Sequence, residues 1–114
     1  MDRAIQEKSF LFAVQTVKLC RYIQTEHKEY ILTKQLMKCG TSIGANISEA
    51  QQAQSRPDFV SKLNIALKEA YETNYWLRLL HATELLTEKE FQSIFADCQE
   101  IERLLIAIIK TTKE

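Results

Sequence analysis

The most informative part of the chain is residues 40–80, which read GTSIGANISEAQQAQSRPDFVSKLNIALKEAYETNYWLRLL. Near its centre, Ser55 precedes Pro57 and Asp58. This arrangement is typical of a helix N-terminus, because the serine side chain can cap the first turn and proline needs no hydrogen-bonded N–H there. Apolar residues recur every three or four positions on both sides of this signal, which is the spacing of one helical face. The stretch therefore predicts two helices joined by a short link.

The same apolar spacing continues towards both ends of the chain. The predicted helices cover about residues 2–26, 30–53, 56–82 and 88–112. Thr87 and Glu90 repeat the helix-start signal before the last of them. Only two glycines and one proline interrupt 114 residues, and no alternating strand pattern occurs. Because short links join helices of matched length, we expect a single all-α domain over residues 1–114, folded as an up-down-up-down antiparallel four-helix bundle.

The composition is that of a soluble globular protein. Apolar residues make up 46% of the sequence, and 15 basic residues balance 15 acidic ones, whereas a dedicated nucleic-acid binder is usually markedly basic. No run of about 20 apolar residues could cross a bilayer, and the first apolar stretch lacks the features of a signal peptide. The three cysteines, Cys20, Cys39 and Cys98, fall on apolar helical faces. We therefore expect a cytoplasmic protein with reduced, buried thiols and no membrane contact.

The motifs that usually accompany catalysis or metal binding do not occur in the sequence. The Glu-x-x-His pairs of di-metal bundles are missing, because Arg78 stands three residues before His81 and the other histidine, His27, lies in a predicted link. There is no Cys-x-x-Cys, no His-Glu-x-x-His and no phosphate-binding glycine loop. The sequence therefore predicts no catalytic residue, no metal and no cofactor, and it indicates that the protein is not an enzyme.

The third and fourth predicted helices carry more apolar residues than are needed for the one apolar stripe that each helix turns towards the core of the bundle. The residues in excess are Ile65, Trp76 and Leu79 on the third predicted helix and Ile106 and Ile109 on the fourth. Fully burying such a side chain contributes roughly 1.5–3 kcal/mol. We therefore expect these residues to form the interface of a homo-oligomer. The alternative is that the aromatic side chains overhang a wide core within one subunit.

Two glycines, Gly40 and Gly44, lie four residues apart in the second predicted helix. Each costs roughly 1 kcal/mol relative to alanine in a helix. A close approach by another helix would offset this cost, because glycine has no side chain to keep the backbones apart. This interpretation adds both glycines to the predicted interface. A kink in the helix is the alternative.

Polar side chains form a stripe along the second predicted helix. The stripe consists of Gln35, Ser42, Asn46 and Glu49, with Glu69 and Glu72 on the third helix. These groups could bind a ligand or another chain in a pocket between helices. Alternatively, Asn46 could be a buried amide that sets the helix register, and Glu49 could pair with Lys62 or Lys68.

Basic residues are concentrated in the first half of the chain. Lys18, Arg21, Lys34 and Lys38 would give the first two helices a positive face that contacts phosphates without sequence preference. Repetition of this face in an oligomer would strengthen the binding through multivalency. Ordinary solvated helix surface is the alternative.

The stretch from Gly40 to Leu80 resembles the bacterial four-helix-bundle proteins named after 23S rRNA intervening sequences. It contains S-I-x-x-N-I-x-E-A, then S-x-x-D-F, then a run ending in E-x-x-x-W-L. The matching residues are Ser42, Ile43, Asn46, Ile47, Glu49, Ala50, Ser55, Asp58, Phe59, Glu72, Trp76 and Leu77, with Gly44 inside the first element. The first and fourth predicted helices agree with the family mainly in length and apolar pattern.

This resemblance implies a left-handed four-helix bundle that assembles as a homopentamer without catalytic activity. It also implies a relation to accessory proteins of diversity-generating retroelements, which share the pentameric bundle and bind a reverse transcriptase and nucleic acid through a strongly basic surface. The zero net charge of this chain departs from that group. The sequence thus favours a non-catalytic oligomeric scaffold or adaptor. Weak RNA or DNA binding by the basic face of the first two helices is the alternative.

Overall fold

The computed structural model describes residues 3–113 and contains, within that range, four α-helices and no strand. The helices are α1 (Arg3–His27), α2 (Leu32–Ala50), α3 (Arg56–Ala82) and α4 (Glu88–Lys113). The predicted all-α fold is therefore confirmed. The bounds of the first, third and fourth helices agree with the prediction to within one residue, and only the predicted start at Asp2 lies outside the described residues.

Each helix packs along the next one in the chain, and α4 returns along α1 in a looser contact. Gly44 meets Ser9 whereas Gly40 meets Thr16, so α1 and α2 run antiparallel. The described residues form a rod of 45 × 20 × 19 Å with the links at its two ends. This order of contacts fits the predicted up-down-up-down arrangement.

Both predicted helix-start signals are confirmed. Ser55 Oγ accepts a hydrogen bond from the backbone N–H of Asp58 at 3.1 Å. Thr87 Oγ1 accepts from the N–H of Glu90 at 3.1 Å, and Glu90 Oε1 accepts from the N–H of Thr87 at 2.9 Å. These side chains satisfy N–H groups that the first helical turn leaves without partners. The starts of α3 and α4 are thus fixed by local sequence.

The second helix is shorter than predicted, spanning residues 32–50 instead of 30–53. The carboxylate of Glu29 accepts hydrogen bonds of 2.8–3.0 Å from three consecutive backbone N–H groups, those of residues 31–33. It therefore caps the helix from outside, and the preceding residues remain in the link. At the other end, residues 51–53 donate to carbonyls three positions earlier, which forms a turn and not a further α-helical turn.

The core is continuous along the bundle. Phe12 belongs to it, whereas Phe10 is 68% exposed. The three cysteines are free and buried, as expected. Burial raises the pKa of the Cys20 thiol to about 12 and that of Cys39 to about 11, and it also raises the pKa of Cys98. Thiols in such surroundings are protonated and unreactive near neutral pH.

Two residues that we predicted at an oligomer interface lie inside the subunit. Gly40 is buried, and a Cβ added there would lie 2.7 Å from Thr16 Cγ2. Ile109 is 7% exposed and belongs to the core, because its side of α4 faces the bundle interior. A Cβ added at Gly44 would lie 3.2 Å from the backbone oxygen of Ser9. The expected close approach therefore occurs between α1 and α2 of one chain, and α2 stays helical through both glycines.

We expect Gly44→Leu to destabilise the protein by roughly 1–3 kcal/mol, because the larger side chain would push α1 away from α2. Urea denaturation followed by circular dichroism measures the free energy of unfolding. Gln35→Leu, at an exposed position of the same helix, is the control and should change that free energy by less than about 0.5 kcal/mol. Equal stability of the two variants would contradict the close contact.

Glu29 should make the stability depend on pH in the acid range. Burial alone would raise the pKa of Glu29, but the hydrogen bonds from the N–H groups of Leu32, Thr33 and Ile31 outweigh it and lower that pKa below its ordinary value. The ionised carboxylate therefore stabilises the fold above its unfolded pKa, and this contribution is lost as the pH falls through the folded pKa. Glu29→Gln should cost about 1 kcal/mol of unfolding free energy at pH 7, and the loss should shrink below about pH 4.

The matched control for this effect is Glu26→Gln, an exposed position near the end of α1. Its unfolding free energy should equal that of the parent protein at pH 7 and at pH 3. A Glu29→Gln penalty that is as large at pH 3 as at pH 7 would exclude the ionised carboxylate as the cause.

Candidate functional site

The polar stripe lies along the contact between α2 and α3, and its hydrogen bonds remain local. Ser42 Oγ donates to the carbonyl of Lys38 at 2.7 Å, and Asn46 Nδ2 donates to the carbonyl of Ser42 at 2.8 Å. Asn46 is only half-buried, so it does not act as a buried amide that sets the register between helices. Lys62 Nζ lies 3.4 Å from Glu49 Oε1, which confirms the ion pair that the structural alternative anticipated.

The acidic half of the stripe stands on α3. Burial raises the pKa of Glu69, and the neighbouring charge of Glu72 raises it further, while Lys38 and Lys68 act in the opposite direction. Glu72 Oε2 accepts a hydrogen bond of 3.0 Å from Trp76 Nε1. The Glu72 carboxylate thus has a hydrogen-bond partner within the subunit, and the ion pair of Glu49 with Lys62 joins the stripe of α2 to α3.

The outer side of α3 carries a group of aromatic and aliphatic side chains, which we call the aromatic face. It consists of Ile65, Tyr71, Tyr75, Trp76 and Leu79. Tyr71 and Tyr75 are each about half exposed. Trp76 packs partly on the core and meets Tyr75 edge-to-face, with ring centroids 5.1 Å apart. The predicted residues of α3 are therefore brought together on one surface, with Trp76 joining that surface to the core.

A second apolar surface, which we did not predict from the sequence, lies across α1 and α2. We call it the α1–α2 face. Small residues from both helices surround a cavity of about 390 Å³, bordered by the exposed ring of Phe10. Its lining residues are Gln6, Ser9, Phe10, Ala13, Thr41, Gly44, Ala45, Ile47 and Ser48. The sequence signal for it was the pair Phe10 and Val14, four residues apart and both exposed.

The fourth helix exposes less apolar surface than predicted. Ile106 is 45% exposed, so it remains available to another chain. Leu105 and Ile109 belong to the core. The apolar run of α4 is thus divided between the core and the surface.

The predicted basic residues are all exposed on α1 and α2. Gln24 Nε2 donates to Thr33 Oγ1 at 3.1 Å, so the end of α1, which carries Arg21, lies beside the start of α2. Lys38 lies on the α3 side, where its charge acts on Glu69. Among residues 3–113, no carboxylate oxygen lies within 4 Å of the side-chain nitrogens of the predicted basic residues. These residues are Lys18, Arg21, Lys34 and Lys38.

Side chains that could catalyse or ligate are dispersed over the bundle. His81 Nε2 lies 2.7 Å from Glu88 Oε2, and its ring stacks on Phe91 with centroids 4.1 Å apart. Over the described part of the chain, no three histidine, cysteine or acidic side chains are grouped to hold a metal ion. In the same part, none of the helices has both the length and the apolar content to cross a bilayer.

The comparisons with known proteins concern almost the whole chain. The family model for the 23S rRNA-intervening sequence protein matches residues 1–107. A crystal structure of a protein with unknown function from the S23 ribosomal protein family of Bacteroides thetaiotaomicron is similar to this chain, with 56% identity and a TM-score of 0.92. That similarity covers 93% of this chain and 98% of the other. Comparison with curated proteins finds no match. The chain belongs to the 23S rRNA-intervening sequence protein family.

Proposed function

We propose that this protein acts without catalysis, as a self-assembling helical scaffold or adaptor. The observation that carries the proposal is the presence of two apolar surfaces on one small subunit, the aromatic face of α3 and the α1–α2 face. Large apolar patches on soluble proteins usually mark interaction sites. Covering the exposed rings of Phe10, Tyr71 and Tyr75 would stabilise an assembly by the free energy of removing them from water.

The placement of the two surfaces favours a ring over a symmetric dimer. Among residues 3–113, no Cα atom of α1 lies within 8 Å of a Cα atom of α3, so the two helices are diagonal neighbours and their outer surfaces lie on different sides of the bundle. A contact between unlike surfaces of identical chains is heterologous, and it closes into a ring when the rotation per subunit permits. Five subunits is the number that the family resemblance implies, and we propose a homopentamer.

The two surfaces also have complementary shapes. The α1–α2 face is lined by small residues, among them Ala13, Gly44 and Ala45, around its cavity. The aromatic face presents bulky side chains, of which Tyr71 and Tyr75 project into solvent. A side chain of this size inserted between small residues gains close packing as well as burial. We therefore propose that the aromatic face of one subunit packs on the α1–α2 face of the next.

The non-catalytic part of the proposal is supported by the state of the nucleophiles. All three thiols are buried with raised pKa values, whereas a reactive cysteine is accessible and has a lowered pKa. The two histidines do not form a catalytic pair with a described nucleophile. His27 lies exposed at the end of α1, and His81 contacts Glu88 at the surface. We propose a cytoplasmic location, where free thiols stay reduced.

The assembly is tested by light scattering coupled to gel filtration. At micromolar concentration we expect a mass that is a multiple of the chain mass, with five copies in the pentamer. Phe10→Asp on the α1–α2 face and Tyr75→Asp on the aromatic face should each give monomers, because a charge would be buried in the contact. Gln99→Asp, at an exposed position of α4, should leave the mass of the assembly unchanged. A monomeric parent protein would end the proposal.

A mixture of the two disrupted variants tests which surfaces meet. Each variant keeps one intact surface, so an equimolar mixture of Phe10→Asp and Tyr75→Asp should form a dimer of one chain of each kind. This result is specific to a contact between unlike surfaces. If the mixture stays monomeric while the parent protein assembles, a different pair of surfaces makes the contact.

Weak binding of RNA or DNA is a second candidate function, favoured by the unpaired basic residues of α1 and α2. Lys18, Arg21 and Lys34 are exposed and have no ion-pair partner among the described residues. Their repetition around a ring would raise the local density of phosphate contacts. The zero net charge of the chain limits the expected affinity.

This second function is tested by fluorescence anisotropy with a labelled single-stranded RNA. Affinity should fall steeply between about 50 and 200 mM salt, because each phosphate contact releases a counterion. Replacing Lys18, Arg21, Lys34 and Lys38 together by Gln should weaken binding and flatten the salt dependence. The control replaces the same number of basic residues elsewhere, namely Lys89, Arg103, Lys110 and Arg3. The proposal fails if no binding is measured at 50 mM salt or if the two sets of substitutions have equal effects.

A further inference from the structure

A groove on the amino-terminal half of α3 combines three cations with an apolar floor. It has a volume of about 600 Å³ and is closed at one side by the last turn of α4. Its lining residues are Arg56, Pro57, Val60, Ser61, Asn64, Ile65, Lys68 and Lys113. Among residues 3–113, no acidic side chain belongs to this lining, although the protein as a whole has as many acidic as basic residues. The groove is therefore a local concentration of positive charge.

In the part of the chain that the structure describes, the cations of the groove have no carboxylate partner. Within residues 3–113, no carboxylate oxygen lies within 4 Å of the side-chain nitrogens of Arg56, Lys68 or Lys113. The charge of Lys68 lowers the pKa of the neighbouring Glu69, but burial and the charge of Glu72 outweigh it, and that pKa stays raised. By contrast Lys62, on the other side of α3, pairs with Glu49. The charge on the groove side is thus available to an anion.

Neutral hydrogen-bonding groups in the groove are also available. Neither the hydroxyl of Ser61 nor the side-chain amide of Asn64 bonds to another group in the part of the chain that the structure describes. They lie three residues apart, on the same side of the helix as Lys68. Together with the ammonium group of Lys68, these groups provide several donors for an oxyanion on one side of α3.

The chemistry of the lining identifies the class of ligand. Arginine binds phosphate through two parallel N–H groups, and lysine adds a point charge. Pro57, Val60 and Ile65 offer apolar contact beside these donors, and the volume lies in the range of small-molecule sites. We propose that this groove binds a phosphate ester with an aromatic or apolar body, of which a nucleoside monophosphate is one representative.

This proposal does not depend on the assembly or on the basic face of α1 and α2. All lining residues come from one chain. Ile65 alone is shared with the aromatic face, at the edge of that surface. Monomeric Phe10→Asp protein should therefore bind the ligand as the parent protein does, so the site and the assembly can be tested separately.

The test is calorimetric titration with adenosine 5′-monophosphate at low salt. We expect one saturable site per chain with a dissociation constant below about 1 mM. Adenosine, which lacks the phosphate, and inorganic phosphate, which lacks the apolar body, should each bind at least about tenfold more weakly. The double variant Arg56→Gln, Lys68→Gln should lose at least about tenfold in affinity, whereas Lys89→Gln, Arg103→Gln, at exposed positions of α4, should stay within about twofold.

Three results would overturn the proposal. The first is the absence of saturable binding up to about 10 mM nucleotide. The second is equal affinity of the groove variant and the control variant, which would place the nucleotide elsewhere. The third is binding of inorganic phosphate or of adenosine as tight as that of the nucleotide, which would exclude the combined polar and apolar recognition. Circular dichroism of each variant verifies that the helices are intact.

Discussion

The arrangement of the bundle depends on the close contact between α1 and α2. An added Cβ would lie 2.7 Å from Thr16 Cγ2 at Gly40 and 3.2 Å from the backbone oxygen of Ser9 at Gly44, so the two helices approach closely. The buried hydroxyls on α1 turn back to carbonyls of their own helix, as that of Thr16 does to Phe12 at 2.8 Å, and no buried side-chain polar atom lacks a partner in the described residues. The opposite side of α1 faces α4 more loosely. The first helix is therefore closely packed against α2 and more loosely packed against α4.

Local signals predicted helix starts well, while the distribution of apolar residues between core and surface needed the packed structure. The capping groups of Ser55 and Thr87 act within one helical turn, so their meaning does not depend on distant residues. Phe10 and Phe12 both fit an apolar pattern, and only the positions of α2 and α4 determine which ring is enclosed. Ile109 was misplaced for the same reason, because a run that is apolar on all sides does not indicate its inner face.

The family motif on α2 and α3 has contacts that explain it structurally. Ser42 and Asn46 bond within α2, and Glu49 pairs with Lys62 across to α3. Glu72 orients Trp76 through its indole N–H. Of these contacts, only the pairing of Glu49 with a lysine of α3 was anticipated from the sequence, and only as an alternative, since spacing alone allowed a ligand pocket as well as a structural role. A structure 56% identical to this chain has the same fold with a TM-score of 0.92, so the four-helix fold is shared with at least one relative.

The buried cysteines also allow the separation of the helices to be measured by thiol labelling. Cys20, Cys39 and Cys98 stand on α1, α2 and α4, and each is at most 1% exposed. A maleimide can reach such a thiol only after the helix that carries it has separated from its neighbours. The three alkylation rates therefore report separately on the detachment of three of the helices. Since α1 meets α4 more loosely than it meets α2, the order of labelling would reveal which contact gives way first.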